Sequence, residues 1–301
     1  MDSKNPENPF TTLQGTVEEM SGTPLEGVKI YWQNDDIIVN TNSKGQFGFE
    51  YISKEDGWIT FEKEGFHTDS LLIIWGTQKI ISIEFTMNAL PILENLEVYS
   101  SVLNIHPTDK EFHFMIEAIV DDPDNEIDTV FWEVPNFNLK GHLDPQGTKF
   151  YQHSFKPELQ NEEIVGHDFI ITVQDLSGKK TIVGNKQVKR VIKKDLIGLS
   201  PSGGIQVSSM PNLEWSRFLP GFSHSYRLEV YKDVQFSQPE LAWVVENLSY
   251  TLTNYTVDQE LEPLDEPEVY FWVIWAIDEF QNRARSKPLT FSVISMSETN
   301  E

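Results

Sequence analysis

The sequence contains no cysteine, and this absence excludes several classes of protein at once. Disulfide scaffolds, zinc fingers, iron–sulfur centres and thiol catalysis all need cysteine. Basic residues are also scarce, since 23 Lys and Arg stand against 47 Asp and Glu, which gives a formal net charge of −24. A chain this acidic repels polyanions, so we expect neither nucleic acid nor an anionic membrane surface as a partner.

Long apolar runs and catalytic motifs are missing as well. No apolar run reaches the ~18 residues of a membrane-spanning helix. The chain has no phosphate-binding Gly-rich loop and no Gly-x-Ser-x-Gly elbow. None of the seven histidines begins a His-x-x-Glu or His-Glu-x-x-His pattern, which would supply zinc ligands from a helix. The sequence therefore predicts a protein that is not an enzyme and binds no cofactor.

Short strands bounded by turns are what the sequence does contain. Residues 270–277 form an aromatic and β-branched run, which a polar turn at 278–282 separates from a second run at 288–293. A similar plan begins at residues 169–173 and turns at Asp175. Asp175 and Asp278 are 103 positions apart (278 − 175), which matches one β-sandwich of roughly 100 residues.

The pattern predicts an all-β chain of three tandem β-sandwich domains. The predicted organisation is a polar tether (1–9), three sandwiches (10–88, 89–194 and 195–296) and a tail (297–301).

The first predicted domain carries a series of turn and core motifs. They are Gly15-x-Val17, Gly22-x-Pro24-Leu25-x-Gly27-Val28, Thr41-x-x-x-Gly45-x-Phe47-x-Phe49 and Lys63-x-Gly65-Phe66. The series resembles the carboxypeptidase regulatory-like domain, which implies a transthyretin-like sandwich of seven strands. That family accompanies zinc peptidases or stands beside surface proteins, and no peptidase motif follows here. We expect Gly27 and Gly45 at positive φ, which glycine adopts without steric strain.

The second predicted domain has an acidic turn at residues 121–128 between two strands. This arrangement resembles bacterial immunoglobulin-like or cadherin-like modules and implies a core position for Trp132. Calcium takes six to eight oxygen ligands, and acidic residues alternate along the turn as a calcium loop requires. These candidate ligands are Asp122, Asp124, Glu126 and Asp128. The alternative is a plain hairpin turn, for which Asp, Pro and Asn are ordinary residues.

The third predicted domain carries a longer set of spaced residues. They are Pro211, Leu213, Trp215, Tyr226, Leu228, Val230, Tyr270, Trp272, Ile274, Ala276, Asp278, Asn282, Ser286, Phe291 and Val293. This set resembles a fibronectin type III domain of bacterial surface proteins, which implies an adhesion, spacing or carbohydrate-associated role and a core position for Trp215.

One strand of the third predicted domain is apolar on both faces. The family usually has polar side chains at the positions that Phe271, Val273 and Trp275 occupy here. A strand that is apolar on both faces needs cover on both. We therefore expect these three residues to form an interface with the second domain, a second copy or a ligand. The alternative is that a local strand or the long connection 241–267 folds over them.

Taken together, these features predict a non-catalytic, extracytoplasmic protein that acts as a spacer, adhesion or binding module for a protein or glycan. The resemblances imply a bacterial cell-surface or periplasmic location, with a lipid anchor preceding residue 1. One alternative is a carbohydrate-binding protein that stacks sugars on exposed aromatics such as Trp75 or Trp243. A second alternative is the accessory domain of an enzyme system.

Overall fold

A computed structural model of the chain describes residues 11–105, 109–157, 163–234 and 238–294. The predicted tether (1–9) and tail (297–301) lie outside these ranges. Apart from one 3-10 turn at Pro135–Phe137, every regular element in the described ranges is a β-strand. The predicted all-β class is therefore confirmed. No helix of the described residues is long and apolar enough to cross a membrane.

Seven strands form in the first predicted domain, as the resemblance implied. They are β1 (Thr11–Glu19), β2 (Lys29–Trp32), β3 (Ile37–Asn40), β4 (Gln46–Ile52), β5 (Gly57–Glu62), β6 (Asp69–Ile73) and β7 (Ile80–Met87).

Eight strands follow between residues 92 and 187. They are β8 (Ile92–Asn104), β9 (Lys110–Asp121), β10 (Ile127–Val134), β11 (Leu139–His142), β12 (Asp144–Pro145), β13 (Phe150–Phe155), β14 (Asp168–Asp175) and β15 (Lys180–Gln187).

Nine strands complete the described chain. They are β16 (Gly198–Ser200), β17 (Ile205–Val207), β18 (Asn212–Trp215), β19 (His224–Asp233), β20 (Glu240–Ser249), β21 (Asn254–Thr256), β22 (Val269–Asp278), β23 (Arg283–Arg285) and β24 (Leu289–Val293).

Contacts divide the chain into two units. Of the described residues, unit 1 holds 11–92 together with the short segments 120–128 and 173–181, and unit 2 holds the others. The second and third predicted domains thus both contribute most of their residues to unit 2. The boundaries at residues 88 and 194 stay predictions.

Unit 1 contains two sheets, with strand orders β4-β1-β7 and β3-β2-β5-β6. Alternate side chains of both sheets form one buried cluster, which includes Trp32, Phe47 and Phe61. Gly27 and Gly45 have φ of 72° and 71°, so their expected positive φ is confirmed. At Gly45 a side chain would also collide with the backbone oxygen of Val17, 2.4 Å from the Cβ position.

Unit 2 is organised around a long sheet in which the main strand order is β12-β13-β9-β8-β23-β22-β19-β20. The parallel pair β8–β23 continues hydrogen bonding from the strands of residues 92–187 into those of residues 198–293, with Ser101 opposite Arg283. One face of β19 and β22 packs in a buried cluster with Trp215 and Trp272. The expected burial of Trp132 and Trp215 is confirmed, since they are 4% and 1% exposed.

The two aspartates that mark the repeated turns have the same structural role. Asp175 Oδ1 accepts the backbone N–H of Lys179 at 2.9 Å, and Asp278 Oδ1 accepts those of Phe280 and Asn282 at 2.8 and 2.9 Å. Both aspartates are buried. Their carboxylates satisfy turn N–H groups that would otherwise lack partners, which explains why aspartate follows the strand in both places.

Candidate ligand-binding surfaces

The outer face of the long sheet in unit 2 carries the three residues that the sequence proposed as an interface. Phe271, Val273 and Trp275 alternate along β22, and their cross-strand partners on β19 are Tyr231, Glu229 and Arg227. Cross-strand partners share a face. The face continues onto β23 through Arg283 and Arg285, and onto β8 through Tyr99. We call these nine residues the arginine–aromatic face.

Glu229 is the centre of the arginine–aromatic face. Its carboxylate accepts hydrogen bonds from Trp275 Nε1 at 2.7 Å, Tyr231 Oη at 2.9 Å and Arg227 Nε at 2.6 Å. The residue is only 4% exposed. A buried carboxylate is stable only when it is paired and hydrogen-bonded. Three donors from two strands meet this requirement, and Arg227 also contacts Glu246.

Arg283 and Arg285 are bound differently from Arg227. Within the described residues neither forms an ion pair, and the Nε atom of each is buried without a hydrogen-bond partner. Their guanidinium groups lie against aromatic rings instead. Arg283 Cζ is 4.1 Å from the ring centre of Tyr99, and the Cζ atoms of Arg283 and Arg285 are 6.0 and 5.7 Å from that of Trp275.

Burial alters the titration of this face. Burial lowers the pKa of Arg285, and the charges of Glu229, Tyr231 and Glu111 oppose that effect only in part. Burial also raises the pKa of Tyr231 to about 12, and the neighbouring Glu229 adds to the shift. The pKa of Tyr99 is raised by burial and by its hydrogen bond to Glu117. The face is therefore poorly hydrated although it carries several charges.

The three predicted interface residues are covered to different extents by their own sheet. Val273 is fully buried, Phe271 stacks on Tyr231 at 5.1 Å between ring centres, and Trp275 contacts the two arginines. The connection 241–267 was one of the two alternative covers, but it forms β20 at the sheet edge and buries Val257 and Leu261 in the opposite core. An interface with another molecule at these residues stays a prediction.

A second surface, in unit 1, was not predicted from the sequence. On the outer face of sheet β3-β2-β5-β6, Ile38 lies opposite Tyr31, and Trp58 lies opposite Leu72. Ile38, Trp58 and Leu72 are 53%, 48% and 44% exposed. We call these four residues the apolar platform. Contiguous exposed apolar side chains on a folded domain mark an interaction surface.

Exposed acidic residues adjoin the apolar platform. Asp36 precedes β3 and accepts a hydrogen bond from Tyr31 Oη at 3.1 Å, while Glu55 and Asp56 precede β5. All three are exposed, and Lys54 is the one basic residue beside them in sequence. The apolar centre is therefore bordered at this end by negative charge.

The aromatics that the carbohydrate alternative named are not exposed. Trp75 and Trp243 are 2% and 6% exposed, so the prediction that they stack on sugars is wrong. Their indole N–H groups donate to Glu55 O at 3.0 Å and to Asp258 Oδ1 at 2.8 Å. Such bonds satisfy the polar edge of a buried indole, which is why both rings pack inside.

The acidic turn makes hydrogen bonds within unit 1. Asp122 Oδ1 accepts the N–H of Asp124 at 3.0 Å, and Asp124 Oδ2 accepts that of Ala89 at 2.5 Å. Glu126 Oε2 accepts Asn88 Nδ2 at 3.3 Å.

Asp128 Oδ2 accepts Gln174 Nε2 at 3.0 Å, so each of the four predicted ligands has a protein partner. Within the described part of the chain, no group of three or more His, Cys, Asp or Glu side chains is placed to hold a metal ion. The calcium loop stays a prediction, and the observed bonds are those of a turn that holds residues 88 and 89.

Comparisons with known proteins do not indicate what either surface binds. No model of a known family matches the chain, and no curated protein matches it. Among solved structures, it is similar to the major pilin subunit BcpA of Bacillus cereus, at 9% identity and a TM-score of 0.28 over 96% of this chain and 97% of that one. It is also similar to a putative carbohydrate-binding protein of Bacteroides uniformis, at 10% identity and a TM-score of 0.25 over 60% and 99%.

Fibronectin(III)-like modules of Clostridium thermocellum CbhA align at 10% identity and a TM-score of 0.30, over 68% of this chain and 93% of that one. TM-scores this low carry no argument about function. The two surfaces therefore have to be interpreted from their own residues.

Proposed function

We propose that the protein is a non-catalytic binding module that docks a partner protein on the apolar platform of unit 1. The observation that carries this proposal is the exposure of Ile38, Trp58 and Leu72 on one sheet face. Two of these side chains are aliphatic and have no π-face on which a sugar could stack, whereas apolar protein side chains pack well against them. Docking also removes this apolar area from water, which favours association.

The charge beside the platform narrows the kind of partner. Asp36, Glu55 and Asp56 favour a partner whose apolar patch is bordered by Lys or Arg. A second copy of the chain is disfavoured, because two chains of net charge −24 repel and their acidic borders would meet. The surface or periplasmic location and the lipid anchor stay predictions that rest on the resemblances described for the three predicted domains.

Site-specific photo-cross-linking tests the proposal. A benzophenone amino acid is placed at Ile38 and, as a control, at Ile182, which is 68% exposed on β15 of unit 2. In cells that make the protein, we expect a discrete adduct with another protein from position 38 and not from position 182. Adding Trp58→Gln should reduce that adduct at least fivefold. Adducts only with a second copy, or equal labelling from both positions, would contradict the proposal.

A further inference from the structure

Arg283 and Arg285 lie in an unusual electrostatic position for surface arginines. The chain carries twice as many acidic as basic residues, yet among the described residues no carboxylate pairs with either guanidinium. Their neighbour Arg227 shows that carboxylate partners are available on this face, since it contacts both Glu229 and Glu246. The two unpaired cations are therefore a local feature and not a result of composition.

The two side chains are also held in place before any ligand binds. They are two residues apart on β23, so both project from the same face about 7 Å from each other. Tyr99 and Trp275 hold the guanidinium groups by ring contacts, and Glu229 fixes the indole of Trp275. Preorganised donors lose little conformational entropy on binding, which favours recognition of a specific ligand.

We propose that Arg283 and Arg285 bind the carboxylates of an acidic glycan, such as a polyuronate, laid across the arginine–aromatic face. The net charge of −24 repels polyanions in general, so this binding depends on short-range contacts between the two guanidinium groups and the ligand carboxylates. A guanidinium presents a planar fork of N–H donors that matches a carboxylate. A ligand carboxylate would give these partly buried cations a direct ion pair, whereas within the described residues Arg285 has only the more distant charges of Glu229 and Glu111. This inference is independent of the partner protein proposed for unit 1.

The sheet topology favours a glycan over an acidic peptide. A peptide gains affinity by adding a strand to a free sheet edge. β22 and β23 have no such edge here, because β23 is flanked by β8 and β22, and β22 by β19 on its other side. A ligand on this face can therefore contact side chains but cannot form backbone hydrogen bonds with these two strands. Planar rings and guanidinium groups suit a sugar ring that carries a carboxylate.

Affinity electrophoresis tests the proposal on the full chain. The probe is polygalacturonate, and the matched control is the same polymer with its carboxylates methyl-esterified. We expect retardation by the acid at least tenfold stronger than by the ester, decreasing as salt is raised. Equal retardation by acid and ester, or none by the acid, would overturn the proposal. Equal retardation by polyglutamate would show that the face binds the carboxylates of a peptide as well as those of a glycan, and this result would also overturn the proposal.

Paired variants locate the binding. The double substitution Arg283→Gln with Arg285→Gln should weaken retardation by polygalacturonate at least tenfold, whereas Arg217→Gln, an exposed arginine elsewhere in unit 2, should leave it unchanged. Equal loss in both variants would contradict the assignment. Circular dichroism checks that each variant is folded. If the double variant does not fold, the substitutions Arg283→Lys and Arg285→Lys are used instead, because they keep the positive charge but remove the planar guanidinium groups. This variant should bind polygalacturonate at least threefold more weakly than the unaltered protein.

Discussion

The two surfaces differ in how their apolar side chains are covered. On the arginine–aromatic face of unit 2, Val273 is fully buried, and Trp275 contacts Glu229, Arg283 and Arg285. On the apolar platform of unit 1, Trp58 remains 48% exposed. Both are outer faces of sheets whose inner faces form cores. The difference shows that outward-facing apolar side chains are shielded from water where neighbouring strands supply hydrogen bonds and ring contacts, and stay exposed where they do not.

Removing a carboxylate charge gives the largest expected difference in stability between the two units. Glu229→Gln removes the charge that holds Arg227 and weakens two further hydrogen bonds. Breaking a buried ion pair is strongly destabilising, but Arg227 keeps Glu246, so we expect a loss of about 2 kcal/mol. The matched change in unit 1 is Glu62→Gln, whose ion pair with Lys29 is exposed. That change should cost less than about 0.5 kcal/mol.

Urea unfolding followed by tryptophan fluorescence and circular dichroism measures both changes. Equal effects of the two substitutions would show that Glu229 does not organise its face, and the contrast between the surfaces would be lost.

Replacing the outward-facing tryptophans Trp275 and Trp58 gives a smaller expected difference in stability. Trp275→Gln removes ring contacts with Arg283 and Arg285 and the hydrogen bond to Glu229, so we expect a loss of about 1.5 kcal/mol. Trp58→Gln removes a half-exposed ring and should change stability by about 0.5 kcal/mol. A larger loss of unfolding free energy for Trp58→Gln than for Trp275→Gln in the same assay would contradict this contrast between the two surfaces.

Tyrosine titration gives the smallest effect but tests the electrostatics. Burial and Glu229 raise the pKa of Tyr231 from 10.0 to about 12. Because the folded state then favours the neutral phenol, this contribution to stability is complete below pH 10 and is lost as pH rises towards 12. Glu229→Gln should bring Tyr231 closer to its ordinary pKa. Ultraviolet titration of the variant against the unaltered protein measures the shift, and superimposable curves would contradict it.

The local features of the fold could be predicted because they depend on local rules. Alternating apolar residues predicted strands, and a glycine after a turn predicted the positive φ of Gly27 and Gly45. The turns at Asp175 and Asp278 were recognisable because each aspartate caps N–H groups a few residues away. The parallel pairing of β8 with β23 joins residues more than 180 positions apart, and no local pattern specifies it.

The candidate surfaces were predictable only in part. The two-sided apolar pattern at Phe271, Val273 and Trp275 indicated a special face. The contacts of Trp275 with Glu229, Arg283 and Arg285 come from other strands, so the pattern within one strand could not show them. The same two-sided pattern is present in β5, where Trp58 and Ile59 are adjacent, and it could have revealed the apolar platform. Sequence could not show which of those two side chains faces out, because both are apolar.

Residue-resolved oxidative footprinting of tryptophan tests the central contrast most directly. The chain has eight tryptophans, so each serves as a reference for the others. Brief exposure to hydroxyl radicals, followed by mass spectrometry, measures how fast each ring is modified. The account predicts that Trp58 is modified fastest, Trp275 more slowly, and buried rings such as Trp272 slowest. Protection of Trp58 to the level of Trp272 in the isolated protein would show that the apolar platform is already covered, and would contradict the account.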